Sequence, residues 1–190
     1  METRNILLVG VGGQGTILAS KILSDALLEK GYDVKMSEIH GMSQRGGSVS
    51  TQIRFGKKVC SPIIGMGEAD VIVAFEKMEA LRWFEYLKPG GRMVINDFEI
   101  ASAPILMGAA RYPEGILAEL SAKADVSVCR AAEIAAELGN AKAMNIVLLG
   151  ALARVLDLGD ADWNAMIARN VKKGFEALNA RAFEAGAKQA

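Results

Sequence analysis

The sequence predicts an α/β fold with a mixed, mostly parallel sheet, and three observations support this prediction. Several apolar runs are short and unbroken, as in strands buried on both faces of a parallel sheet, and the clearest covers residues 6–9. Helical spacing of apolar residues follows most of these runs. Alternating apolar and polar residues at 48–55, a turn at Gly56-Lys57-Lys58 and a returning strand at 59–64 predict an antiparallel hairpin.

The start of the chain shows the pattern most clearly. A strand at residues 6–9 is followed by a helix at residues 14–30, with Gly31 just past its end, and by a second strand at residues 34–38. This order forms a βαβ unit with a right-handed crossover. We therefore expect a Rossmann-like domain.

The remaining elements continue the alternation. Strands are predicted at residues 71–75, 92–96 and 125–129, helices at residues 77–87, 116–122, 131–138, 144–156 and 163–185, and a mostly irregular stretch at residues 97–115. No repeat, low-complexity run or linker divides the chain. Residues 1–190 are therefore expected to form a single domain with C-terminal helices.

Composition excludes several classes of function. The chain has 22 basic and 22 acidic residues, so no field for nucleic acid or a membrane surface is expected. Two cysteines and one histidine cannot supply a four-cysteine iron–sulfur cluster and make a metal site improbable. The apolar run before the glycines covers only residues 6–9, too short for the apolar region of a signal peptide, and no apolar run approaches the roughly 20 residues of a membrane span. We expect a cytoplasmic protein.

A glycine-rich stretch joins the first strand to the first helix. Gly10, Gly12 and Gly15 fit the G-x-G-x-x-G spacing, which in this context is typical of phosphate or dinucleotide contact at a helix N-terminus. A tight strand–helix turn without a ligand is the alternative. The candidate cofactor-binding residues of this stretch are Gly10, Gly12, Gly13, Gln14, Gly15 and Thr16.

Glu38 lies near the end of the second predicted strand. A Rossmann site places a ribose-binding acid there, which would support NAD. A carboxylate at the start of a loop with some other partner is an equally good interpretation.

A polar segment follows Glu38 and should emerge beside the glycine stretch at the carboxyl edge of the sheet, where open α/β sheets bind ligands. Arg45 suits a phosphate or carboxylate, although it could equally form a structural ion pair. His40 and Arg45 are possible catalytic residues, and a hydrogen-bonded structural histidine is the alternative for His40. The further binding candidates here are Ser43, Gln44, Arg45, Gly46 and Gly47.

Three more polar residues stand at predicted element ends. Asn145 begins the most apolar helix and is either a cap or a cofactor contact at the crevice. Asp97 follows a strand and is best explained as a turn residue, whereas the role of Glu76 stays open. No nucleophile–base pair can be argued from spacing. This favours a chain that forms one part of a larger enzyme.

Four segments together resemble the gamma-type domain of the 2-oxoacid:ferredoxin oxidoreductases. They are residues 10–23 (GVGGQGTILASKIL), 37–49 (SEIHGMSQRGGSV), 67–70 (GEAD) and 145–153 (NIVLLGALA). The resemblance covers nearly the whole chain. The second segment is the most specific, and its His-Gly-Met-Ser-Gln version is similar to the small subunits of the indolepyruvate branch of this family.

The resemblance implies an enzyme of several subunits. Such an enzyme decarboxylates an arylpyruvate oxidatively with coenzyme A and gives an acyl-CoA, carbon dioxide and reduced ferredoxin. Thiamine diphosphate, Mg²⁺ and 4Fe–4S clusters are expected in a large alpha subunit. The chain agrees by omission, because Ala161 follows Gly159-Asp160 and interrupts the Gly-Asp-Gly element that holds thiamine diphosphate.

In this interpretation, the chain docks on the alpha subunit. The glycine stretch and residues 43–47 would then face the partner's thiamine site or the CoA phosphates. The first alternative is a stand-alone NAD- or flavin-binding oxidoreductase. A methyltransferase, suggested by residues 87–95, and a regulatory module without catalysis are the remaining ones.

Overall fold

The computed structural model describes residues 2–40 and 46–189, with only the main chain of His40. Its centre is a six-stranded sheet in the order β2-β3-β1-β4-β5-β6. The strands β1, β4, β5 and β6 are parallel, and β3 runs antiparallel to both β1 and β2. The predicted mixed sheet with an antiparallel hairpin is confirmed. The strands are β1 Arg4–Val11, β2 Asp33–His40, β3 Ser48–Gly56, β4 Ala69–Ala74, β5 Leu87–Asn96 and β6 Asp125–Cys129.

The predicted hairpin partner was wrong. Residues 59–64 form no strand, and β3 instead pairs with β2, with Gly56 opposite Asp33. Side-chain acceptors take the amides of the expected strand: Asp33 Oδ2 accepts from Val59 N at 2.8 Å, and Gln52 Oε1 accepts from Ile64 N at 2.6 Å. The segment is therefore bonded to side chains of the sheet and does not extend it.

The position of β3 also corrects the expected neighbours of β1. The first and second predicted strands do not pair, because β3 lies between them. Seven of the nine residues of β3 are buried, among them the polar residues Thr51 and Gln52. Burial of this kind is typical of a central strand, and it leaves β2 at the edge of the sheet.

Helices cover both faces of the sheet. They are α1 Thr16–Glu29, α2 Lys77–Arg82, α3 Ala103–Leu106, α4 Ile116–Lys123, α5 Ala131–Glu137, α6 Met144–Val155, α7 Trp163–Asn170 and α8 Glu176–Ala187. One core joins Ile6 and Leu8 of β1 to α1 and α5–α8, and the other joins Leu7 and Val9 to α2 and α4. The alternation of side chains along β1 thus supplies both cores.

Two predicted helix bounds were wrong. The helix expected at residues 163–185 is two helices, because Val171 is extended and Gly174 has a φ of 92°. The helix expected at residues 77–87 ends at Arg82, and β5 already begins at Leu87, before the Pro89-Gly90 pair.

The apolar helix α6 is a buried core helix. It has 12 residues, of which ten are buried, and it packs closely against α8. In the described part of the chain, no helix is both long and apolar enough to cross a membrane.

Two glycines make the close α6–α8 contact possible. A Cβ on Gly186 would lie 1.8 Å from the carbonyl oxygen of Val147, and one on Gly150 would lie 2.0 Å from that of Phe183. Both obstacles are backbone atoms, so a side chain at either glycine would push the helices apart.

Gly186→Ala should therefore destabilise the protein strongly. Alanine favours a helix over glycine by about 1 kcal/mol, but the forced separation of two packed helices costs more, and we expect a net loss near 3 kcal/mol. Urea unfolding of the chain measures this free energy. Gly159→Ala is the matched control, because its Cβ meets open space and should change the free energy by about 0.5 kcal/mol or less. Equal stability of the two variants would contradict the close contact.

Candidate functional site

The carboxyl ends of β1 and β4 mark the place where the chain turns in opposite directions. From β1 the chain passes through α1 to β2 on one side of the sheet, and from β4 it passes through α2 to β5 on the other side. In open α/β sheets, the crevice outside such a switch point is the usual ligand site.

Gln14 occupies this crevice with its own side chain. Its Oε1 accepts from the amide of Val11 at 2.7 Å, and its Nε2 donates to the carbonyl of Phe75 at 2.8 Å. A Cβ on Gly10 would lie 2.8 Å from Gln14 Oε1 and 2.9 Å from Phe75 Cβ. Gly10 therefore leaves room for a bridge between the ends of β1 and β4.

The second half of the glycine stretch contacts the C-terminal helices. Gly13 and Gly15 have φ values of 100° and 81°, which favour glycine. Asn145 of α6 is 4% exposed and donates through Nδ2 to the carbonyl of Gly15 at 3.1 Å. Within the described residues, no side chain caps the start of α1, where Thr16 is buried. Uncapped helix starts of this kind suit an anion.

The second glycine-containing segment touches the first. The amide of Gly12 donates to the carbonyl of Gly47 at 2.9 Å, and Ser48 pairs with Val11 in the sheet. Gly46 has a φ of 83°. Ser43, Gln44 and Arg45 lie outside the described residues, and the main chain of His40 ends β2.

Glu38 lies further from β1 than a Rossmann site requires. It sits on β2 opposite Thr51 of β3, so two strand spacings, roughly 10 Å, separate it from β1. The ribose-binding acid of a Rossmann site needs the second strand directly beside the first. Here β3 lies between β2 and β1, so this requirement is not met.

The first turn of α2 carries two buried carboxylates whose contacts the sequence did not reveal. Glu76 is fully buried and caps α2 by accepting from the amide of Glu79 at 2.9 Å. Its other oxygen accepts from the amide of Ile100 at 3.2 Å and from the Tyr112 hydroxyl. Burial, followed by the bond to Glu76, raises the pKa of Tyr112. Glu76 thereby fixes the segment that follows β5.

Glu79 ties α2 to the start of β3. Its Oε2 accepts from the hydroxyl of Ser48 and from Trp83 Nε1 at 3.2 Å, and its Oε1 accepts from Arg82 Nε at 3.0 Å. A glutamate three residues after an N-cap usually suggests a local cap, so its spacing gave no sign of this contact.

Lys77 pairs with two acids of the segment after β5. Its Nζ lies 3.0 Å from Asp97 Oδ1 and 2.7 Å from Glu99 Oε1, and the bond to Glu99 first, then that to Asp97, raises the pKa of Lys77. Lys77 and Glu99 line a cavity of about 490 Å³ together with Tyr112 and Gly115. The charges of Lys77 and Asp97 are therefore paired within the protein.

Two more residues at this edge serve the fold. Asn96 is fully buried, donates to the carbonyl of Phe75 at 3.1 Å and accepts from the amide of Ala131 at 3.0 Å. Burial raises the pKa of Cys129 to about 12, which keeps its thiol protonated near neutral pH. Residues 2–40 and 46–189 contain no group of three His, Cys, Asp or Glu side chains placed to hold a metal. Asn96 and Cys129 are thus explained by the fold.

The sequence matches a known protein family. The family model described as pyruvate ferredoxin/flavodoxin oxidoreductase matches residues 5–189. A protein from Thermococcus kodakarensis named indolepyruvate oxidoreductase subunit IorB is 39% identical to the chain over 196 aligned positions, covering 100% of this chain and 97% of the relative.

Solved structures share the fold. The gamma subunit of a keto/oxoacid ferredoxin oxidoreductase from Geobacter sulfurreducens matches with a TM-score of 0.72, 21% identity and 98% coverage of both chains. The 2-oxoglutarate:ferredoxin oxidoreductase from Magnetococcus marinus, solved with 2-oxoglutarate, coenzyme A and succinyl-CoA, matches with a TM-score of 0.77 and 21% identity over 100% of this chain and 31% of that longer chain. The chain therefore belongs to the pyruvate ferredoxin/flavodoxin oxidoreductase family, and its relatives include a subunit of an indolepyruvate oxidoreductase.

Proposed function

We propose that the chain, bound to a large alpha subunit, forms an enzyme that decarboxylates indolepyruvate oxidatively. The 2-oxoacid and the thiol of coenzyme A give the acyl-CoA thioester and carbon dioxide. The thiol loses its proton, and two electrons pass to two molecules of ferredoxin. One structural observation carries the proposal: next to the bridge of Gln14 between the ends of β1 and β4, the two glycine-containing segments meet through the Gly12–Gly47 bond.

The redox and carbanion chemistry belongs to the partner in this proposal. Thiamine diphosphate with Mg²⁺ supplies the carbanion chemistry of decarboxylation, and 4Fe–4S clusters carry the electrons. The two cysteines of this chain, Cys60 and Cys129, cannot replace four cluster ligands. The residues of this chain therefore do not fit a 4Fe–4S cluster, and Ala161 interrupts the Gly-Asp-Gly element expected to hold thiamine diphosphate. The part of this chain is to bind, to position and to complete a shared surface.

The contact to coenzyme A is assigned to the carboxyl edge. The uncapped start of α1 offers main-chain amides to a phosphate, and Arg45 adds a cation capable of bidentate bonds. The structure of the Magnetococcus marinus neighbour was solved with coenzyme A bound. His40 remains a possible catalytic contact, and residues 43–47 form the remaining part of the proposed surface.

Activity should require both subunits. The chain alone should not oxidise indolepyruvate, whereas the complex with its large subunit should do so only when coenzyme A and an electron acceptor are present. Reduction of ferredoxin or a viologen dye, followed spectroscopically, measures this. Omission of coenzyme A from the active complex is the internal control. Turnover by the isolated chain would contradict the division of labour.

Arg45→Ala tests the phosphate contact. Loss of a charge-assisted hydrogen bond should raise the KM for coenzyme A about tenfold or more and leave the KM for the 2-oxoacid within a factor of two. Steady-state kinetics of the complex give both values. Arg181→Ala, at an exposed position on α8, is the matched control. An unchanged KM for coenzyme A in Arg45→Ala would remove Arg45 from the proposed contact.

The G-x-G-x-x-G spacing also favours one alternative function, a stand-alone NAD- or flavin-binding oxidoreductase. Trp83 bonds to Ser48 at 3.4 Å and so lies close to the glycine stretch, which makes its fluorescence a suitable reporter. We expect no saturable quenching of the chain by NADH, because Gln14 fills the crevice and Glu38 is two strands from β1. Trp163→Phe removes the second tryptophan and serves as the control. Saturable quenching that survives Trp163→Phe would favour the alternative.

A further inference from the structure

The carboxyl side chain of Glu79 is buried. It is 3% exposed, and its carboxylate has three donors: the Ser48 hydroxyl, Trp83 Nε1 and Arg82 Nε. A buried carboxylate is tolerated only when partners compensate the lost hydration. Arg82 on the same helix provides the opposite charge, with its own side chain 55% exposed. The carboxylate is therefore held on α2 and directed at the start of β3.

The contact of Glu79 leads directly to the glycine stretch. Ser48 is the first residue of β3 and pairs with Val11 at the end of β1. Its neighbour Gly47 accepts the amide of Gly12 at 2.9 Å. A displacement of Ser48 would therefore move the carbonyl that holds Gly12.

Ser50 provides a comparison for the contact between Ser48 and Glu79. It lies two residues along β3, on the same face of the sheet, and is 2% exposed. Its hydroxyl has no hydrogen-bond partner in the part of the chain that the structure describes. Of these two serines on one strand face, only the half-buried Ser48 at the strand start bonds to Glu79, whereas Ser50 is buried further along the strand.

We propose that Glu79 is a positioning residue for the glycine stretch. Its carboxylate fixes Ser48, which keeps the carbonyl of Gly47 against the amide of Gly12 and sets the relative position of the two glycine-containing segments. This inference rests on the proposed function, in which those segments bind coenzyme A beside the partner subunit. Glu79 acts through Ser48 and has no contact of its own with the reacting atoms.

Hydrogen exchange of the Gly12 amide tests the positioning directly on the full chain. Glu79→Gln and Ser48→Ala should each speed this exchange about tenfold, the effect of losing one hydrogen bond, and the double variant should exchange no faster than the faster single variant. Ser50→Ala is the matched control and should leave the exchange unchanged. Amide exchange in helices α6 and α8 reports global stability and should match the wild-type rate in all four variants, namely the two single variants, the double variant and Ser50→Ala. If Gly12 exchanges at the wild-type rate in both single variants, the inference is overturned.

Kinetics of the complex separate positioning from a merely structural role. Ser48→Ala and Glu79→Gln should raise the KM for coenzyme A several-fold with kcat nearly unchanged, whereas a loss of folded protein lowers kcat alone. A fall in kcat alone would overturn the role in binding. Faster Gly12 exchange with an unchanged KM in both Glu79→Gln and Arg45→Ala would support the positioning by Glu79 and reject the coenzyme A part of the proposed function.

Discussion

The bridge that Gln14 makes between the ends of β1 and β4 is the constraint on which the carboxyl edge depends. One amide side chain accepts from Val11 and donates to Phe75, so it closes the point where the two halves of the sheet diverge. The carbonyl of Phe75 also receives Asn96 from β5. Three parallel strand ends are thereby joined by two carboxamides. Both carboxamides donate to the same carbonyl, that of Phe75, so these donors are satisfied within the fold.

The loops outside this bridge are held by the first turn of α2. Glu76 fixes the segment after β5, and Glu79 fixes the start of β3. A six-residue helix thus sets the position of loops on both sides of the crevice. Of the residues of α2, Ala80 is buried in the core, and Met78 and Leu81 pack against it while partly exposed. The place of α2 in the molecule is explained better by the polar contacts of its carboxylates.

The sequence predicted the elements well and their neighbours poorly, for a physical reason. Periodicity reports burial along one segment, so β6 was found with its exact bounds, residues 125–129, whereas the start of β5 was placed five residues late, at residue 92. Strand order depends on contacts between distant segments, and the insertion of β3 between β1 and β2 left no local signal. The same limit applies to the site. The position of Asn145 at the start of α6 suggested a role, whereas the bond from Ser48 to Glu79, 31 residues apart, could not be seen in either segment.

The glycines that first suggested a dinucleotide site all make contacts within the protein. Gly10 leaves room for Gln14, the amide of Gly12 binds Gly47, and Gly15 has a positive φ beside Asn145, whose Nδ2 would lie 2.5 Å from a Cβ there. Packing therefore explains Gly10 and Gly15 without a bound nucleotide. With Gln14 bonded across the ends of β1 and β4, we assign binding to the outer edge of the crevice. That edge needs a second surface to become an enclosed site, and a subunit of a larger oxidoreductase obtains such a surface from its partner.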